Sequence, residues 1–137
     1  MPTVSSDIPA REQAGAALAN ACANCMENQV AARHSGAMVV LVDQLLSEIS
    51  PDLVECCVCA VRNLCINSLE HQEELMRCNG MVPLLQLLHS DTGTQLLEYV
   101  ASAIAKVKHL PTFSLLHLAH SQWYSIVAVF APTVCGF

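Results

Sequence analysis

The sequence predicts an all-α chain, and three observations predict it. A four-residue block recurs at a step of 43: Ala17-Leu18-Ala19-Asn20, Ala60-Val61-Arg62-Asn63 and Ala103-Ile104-Ala105-Lys106. The same step links Glu12, Glu55 and Glu98, and joins Cys22 to Cys65. Between these points apolar residues keep the three- and four-residue spacing of a helix face, and no stretch up to Lys108 alternates as a half-buried strand does. A second landmark lies between the blocks. Gly36 precedes Ala37-Met38-Val39-Val40-Leu41, and 44 residues on Gly80 precedes Met81-Val82-Pro83-Leu84-Leu85, with Arg33 and Arg77 three residues ahead of the two glycines. A helical period in the low forties signals a stacked solenoid, an architecture that presents surface to partners and rarely carries chemistry.

The elements follow in order. Asp7-Ile8-Pro9 opens a long helix, with Asp as its N-cap and Pro in its first turn. This helix is expected to run to about Met26, with Ala14, Ala17, Leu18, Ala21 and Cys25 as its apolar stripe. A short helix, Gln29 to His34, ends at Ser35-Gly36, where glycine takes a left-handed conformation without strain. Met38, Val39, Leu41, Val42, Leu45 and Leu46 form the next, strongly apolar helix. Ser50-Pro51 restarts the pattern with a cap and a first-turn proline, and a long helix runs to about Asn67 through Val54, Cys57, Val58, Val61, Leu64 and Cys65. Glu70 to Cys78 is the next short helix, stopped by Asn79-Gly80, and Met81 to His89 the next apolar one. Asp91-Thr92-Gly93-Thr94 makes a turn and cap before a third long helix to about Lys108.

The residues that carry a family resemblance are now in place: Gly36 with Leu41, Leu45 and Leu46; Gly80 with Leu84, Leu85 and Leu88; and the long helices bearing Asn20 and Asn63. The chain resembles the armadillo repeat family over about residues 7–108. The resemblance implies a short right-handed armadillo-type α-solenoid in residues 1–108. It comprises a partial unit 7–26 and units 28–67 and 70–108, and the chain looks like an excerpt or variant form of a longer array. In that family the long helices line a concave groove whose Asn side chains hydrogen-bond an extended peptide. An amide suits this role because it both donates and accepts, whatever the peptide sequence. Carried over residue by residue, the partner-binding face holds Gln13, Ala16 and Asn20, then Cys56, Cys59 and Asn63, then Tyr99, Ser102 and Lys106. Four residues before the Asn, nuclear import receptors of the family carry Trp. Here Ala16, Cys59 and Ser102 stand there, so the aromatic cage for cations is missing, and Lys106 favours an acidic group on the third rung.

Residues 109–137 break the pattern. They contain no Asp, Glu, Lys or Arg, no third glycine falls at Trp123 or Tyr124, and Ser125 to Phe130 reads as well for a strand as for a helix. The expectation is an irregular, divergent apolar C-terminal tail, interrupted by His117, His120 and Gln122 and unsuited to spanning a membrane.

Composition removes several functions. The net charge is −6 and only six Lys and Arg are scattered along the chain, so nucleic acid is not an expected partner. No secretory signal is seen at Met1 to Ala10, which points to the cytoplasm, with the nucleus as alternative. The eight cysteines sit mostly in Ala- and Leu-rich helical segments and read as free, buried thiols. Cys22 and Cys25 are half a zinc pattern, but Cys56, Cys57 and Cys59 do not supply the other half, so no metal is expected. The six histidines read as surface or boundary residues, and Glu70, Glu73 and Glu74 as a solvated face. No phosphate loop, nucleophile elbow or HExxH motif is present. The expected function is a non-catalytic, cofactor-free scaffold that holds a protein or peptide segment. The alternative is a structural piece that self-associates through the tail.

Overall fold

A computed structural model describes residues 7–47, 50–88 and 93–107. Among them the chain is helical, with seven α-helices: α1 Ile8–Cys22, α2 Met26–His34, α3 Ala37–Ser47, α4 Pro51–Cys65, α5 Leu69–Arg77, α6 Met81–Leu88 and α7 Thr94–Ala105. The tail at 109–137, on which the alternative of self-association rests, lies outside the described residues, as do His89, Asp91, Thr92 and Lys108.

Local chemistry explains most boundaries. Ser50 is extended (φ −148, ψ 136), and its hydroxyl accepts from the Leu53 N–H at 3.3 Å, with Pro51 in the first turn of α4. Ser68 caps α5 in the same way, accepting from the His71 N–H. Asp7 does not act as the expected cap. Its backbone is already helical (φ −90, ψ −10), and its side chain makes no capping hydrogen bond. Gly93 precedes α7 without a side-chain cap.

The first long helix is shorter than expected. It ends at Cys22, because Asn24 turns left-handed (φ 56) and the chain restarts as α2 at Met26. Cys25 therefore lies beyond the turn, at the N-cap of α2, and does not share a helix with Cys22. Asn67 (φ 54) makes the equivalent turn after α4. Asn is among the few residues that enter this region at modest cost.

The glycine landmark needs a correction of register. Gly36 is the left-handed residue after α2 (φ 76), but its counterpart after α5 is Asn79 (φ 56), 43 residues on. Around Asn79 the N–H groups of Asn79 and Gly80 bond back to Met76 O and Leu75 O, closing the helix end with a Schellman pattern. Gly80 serves another purpose. A Cβ there would overlap Leu75 Cδ1 and lie 2.9 Å from Val42 Cγ2, so only glycine lets α6 start against α3 and α5. The step of 43 then holds throughout. Gln29 Nε2 donates to Cys22 O at 3.0 Å and Gln72 Nε2 to Cys65 O at 2.9 Å, each tying a short helix to the end of the long one before it. Met38 and Met81 are both buried, as are Leu41 and Leu84.

Helix α4 occupies the centre, packed against α1 on one side and α7 on the other, with α3 and α5 also against it. The apolar helices α3 and α6 touch each other, and α6 backs onto α7. Val58, Leu64, Leu75, Leu84 and Val100 are fully buried in the shared core. Each contributes about 1.5–3 kcal/mol by leaving water. No helix among the described residues is long and apolar enough to cross a membrane.

Candidate functional site

The nine expected face residues come from the long helices. Gln13, Ala16 and Asn20 are on α1, Cys56, Cys59 and Asn63 on α4, and Tyr99 and Ser102 on α7, with Lys106 just beyond its last turn. Spacings of three and four place each trio on one side of its helix. Gln13 and Asn20 are exposed, while Ala16, Cys56, Cys59, Tyr99, Ser102 and Lys106 are half-buried.

Four of the nine meet in one place. Ala16, Asn20, Cys56 and Cys59 line an open groove of about 320 Å³ between α1 and α4, together with Ala19, Asp52 and Glu55. The small side chains of Ala16 and Cys59 keep the groove open, and the Asn20 amide faces solvent at its edge. Gln13, Asn63, Tyr99, Ser102 and Lys106 are not part of its lining.

Asn63 has turned inward and is 7% exposed. Its Nδ2 donates to Ala19 O at 2.7 Å, and its Oδ1 accepts from Arg62 Nε and Nη2 at 3.4 Å. From the other side, Gln29 Nε2 donates to Asn63 O at 3.2 Å. Asn63 thus holds α4 against α1. Asn20 is chemically identical but has no such neighbour and stays free. Tyr99 is also engaged. The Arg62 guanidinium lies 5.1 Å from its ring centroid, and Gln95 Nε2 donates to its hydroxyl at 2.8 Å. The cation of Arg62 therefore occupies the only aromatic surface of the face among the described residues.

Asp52 and Glu55 line the groove and Arg62 engages Tyr99 and Asn63, and none of the three is among the nine expected residues. For Glu55 a signal existed in the step that relates it to Glu12 and Glu98. These acids shape the electrostatics. Burial raises the Cys56 thiol pKa, and the charges of Glu55, Asp52 and Glu12 raise it further. Burial likewise raises that of Cys59, with Arg62 opposing and Glu55 adding to the effect. Both thiols stay protonated near neutral pH, which makes them poor nucleophiles and poor ligands. Glu12 is itself occupied, accepting a hydrogen bond from the Ser50 hydroxyl.

A second cleft of about 400 Å³ lies between the α1–α2 and α4–α5 junctions, with Arg33, Glu70 and His71 in its wall. His71 departs from the expectation of surface or boundary histidines, for it is 1% exposed. Its Nδ1 pairs with the Ser68 hydroxyl at 2.8 Å, and its Nε2 is buried without a partner. His117 and His120 lie outside the described residues. Among the described residues no group of three or more His, Cys, Asp or Glu is arranged to hold a metal ion.

Comparison of the chain with protein-family models, with curated proteins and with solved structures finds no match.

Proposed function

We propose that this chain is a non-catalytic scaffold, a short right-handed solenoid of armadillo type working inside the cell, which holds an extended protein segment in the groove between α1 and α4. The observation that carries the proposal is the groove itself: an open trough about 320 Å³ in volume with a small-residue floor and a free amide at its edge. Such a trough fits a peptide backbone, and the free amide can pair with a peptide unit of any sequence. The recurrence of Asn24, Gln29 and Met38 as Asn67, Gln72 and Met81, with matching conformations and hydrogen bonds, supports the reading as a repeat. Asp52 and Glu55 favour a basic side chain where the groove opens, while Lys106 favours an acidic one on the α7 rung.

The test is selection of peptides from a random library on the full chain, followed by binding measurements on variants. Asn20→Ala should weaken a selected peptide about tenfold through the loss of one hydrogen bond. Cys59→Phe, which fills the trough, should abolish binding. Asn20 is exposed, so the thermal midpoint of Asn20→Ala should not move. Selected peptides that bind both variants as tightly as the parent would remove the groove from consideration.

A further inference from the structure

The step of 43 shows which side of each long helix meets the unit that follows it. A Cβ on Gly15 of α1 would lie 3.1 Å from Cys56 Cβ and 3.9 Å from Leu53 Cδ1, both on α4. Gly15, with Arg11 and Leu18 one turn to either side, therefore faces the next long helix. On α4 the same three places hold Val54, Val58 and Val61, all buried, with α7 as the following helix. On α7 they hold Leu97, Ala101 and Ile104. Among the described residues no helix follows α7, yet Leu97 is half-buried and Ala101 and Ile104 are each 4% exposed. Leu97 and Ala101 also stand apart from the apolar core that the described helices share. Leu85 of α6 repeats the pattern. Its counterpart on α3, Val42, sits beside Gly80 at the start of the next apolar helix, and Leu85 is itself buried. The outer face of α7 is thus covered from a side that none of the seven helices occupies. These exposures are those of a single chain, so the cover is its own.

We propose that residues 109–137 cover this face, packing across Leu97, Ala101 and Ile104 where a further unit would otherwise stack. They come next along the chain after α7, so bringing them onto it closes only a short loop. Helix α7 has 12 residues and is about 18 Å long, a distance that about six extended residues can span. Residues 89–92 enter α7 at its other end, about two and three turns from Ala101 and Ile104. The chemistry of the two sides matches. The face offers leucine, alanine and isoleucine without a charge. Residues 109–137 hold no Asp, Glu, Lys or Arg and carry Phe113, Leu115, Leu116, Trp123 and Phe130. Their burial removes apolar surface from water without stripping any ion of its hydration.

This inference is independent of the peptide groove between α1 and α4, and its test reads a different signal. Trp123 is the only tryptophan of the chain, so its fluorescence reports on residues 109–137 alone. In the full chain in reducing buffer, acrylamide should quench it at least about threefold less than N-acetyltryptophanamide, equally at about 0.5 and about 50 µM. Leu97→Glu sets a carboxylate on the covered face and should raise the quenching at least about twofold while far-UV circular dichroism keeps its helical signal. Arg11 stands at the same place on α1, so a charge there is compatible with the helix itself. If Leu97→Glu loses helical signal, the uncharged Leu97→Gln carries the same expectation. Any peptide held by Asn20 should bind these variants unchanged. A parent chain whose Trp123 is quenched as freely as the small amide overturns the proposal. Protection that vanishes on dilution assigns the cover to a second chain and overturns it too, as does protection that both Leu97 variants leave intact.

Discussion

At the residue scale, the two motif asparagines show how position decides chemistry. Asn20 and Asn63 occupy the same place in successive long helices, yet one faces solvent and the other is spent on Ala19 O. Asn63→Ala should therefore act first on stability, by about 1–3 kcal/mol, since it leaves a buried carbonyl without its donor. Asn20→Ala should change stability by less than about 0.5 kcal/mol. Urea denaturation of the two variants checks the contrast, and equal midpoints would contradict the assignment. His71 supplies a second residue-scale expectation. Burial is the main cause that lowers its pKa below the ordinary histidine value, with Glu74 and Glu70 opposing and Arg33 assisting. The unfolded chain then takes up the proton first. The contribution is fully present above the ordinary value of about 6.5 and is lost as pH falls through it toward the folded value. His71→Asn, which installs the residue found at position 28, should flatten the fall of stability as pH drops below the ordinary histidine value of about 6.5. An unchanged slope would show that other groups carry it.

At the element scale, the helix ends use a small set of devices. Ser50 and Ser68 each accept a backbone N–H three residues on, and Asn24, Asn67 and Asn79 each take the left-handed turn. Ser50→Ala should cost about 1 kcal/mol for the lost cap. Its hydroxyl also donates to Glu12, so the effect should lie toward the upper part of the capping range. Gly80→Ala meets a different obstacle, the crowding of Leu75 and Val42 against the new methyl group, and should cost about 1–3 kcal/mol. Gly36→Ala finds open space and only a left-handed backbone to strain, so it should cost about 1 kcal/mol. Thermal melts of the two glycine variants distinguish close packing from backbone strain. A smaller loss at Gly80 than at Gly36 would refute the packing argument.

At the scale of the whole molecule, α4 is the element packed against α1, α3, α5 and α7, and its thiols report on that. Burial pushes the Cys57 and Cys65 thiols up to about 12. Iodoacetamide at about pH 8 should modify the half-buried Cys56, Cys59 and Cys78 well before Cys57 and Cys65, which should react only on unfolding. Mass mapping of labelled peptides measures the order, and early modification of Cys65 would mean that the α4 core opens readily. Leu41 and Leu85, both 4% exposed, link the apolar helices to the same core. Either Leu→Ala change should cost about 2–5 kcal/mol. Folded proteins are only marginally stable, so such a loss should be visible as a lowered urea midpoint.

The sequence by itself determined the helical class, the order of long, short and apolar elements, and the step of 43. All of these follow from local periodicity, prolines and caps that each segment carries within itself. Ser50-Pro51 and Gly36 are examples, for their roles need no distant partner. Four members of the groove, Ala16, Asn20, Cys56 and Cys59, were likewise legible, because spacings of three and four fix a helix side. Only the tertiary structure decided which of two identical amides is free, that Asn79 rather than Gly80 is the left-handed residue, and that Arg62 lies over Tyr99. It alone decided that His71 is buried. The physical reason is the same in each case. These outcomes depend on what a neighbouring helix brings to within a few ångströms, and a local pattern repeated along the chain does not encode which copy has a neighbour on that side.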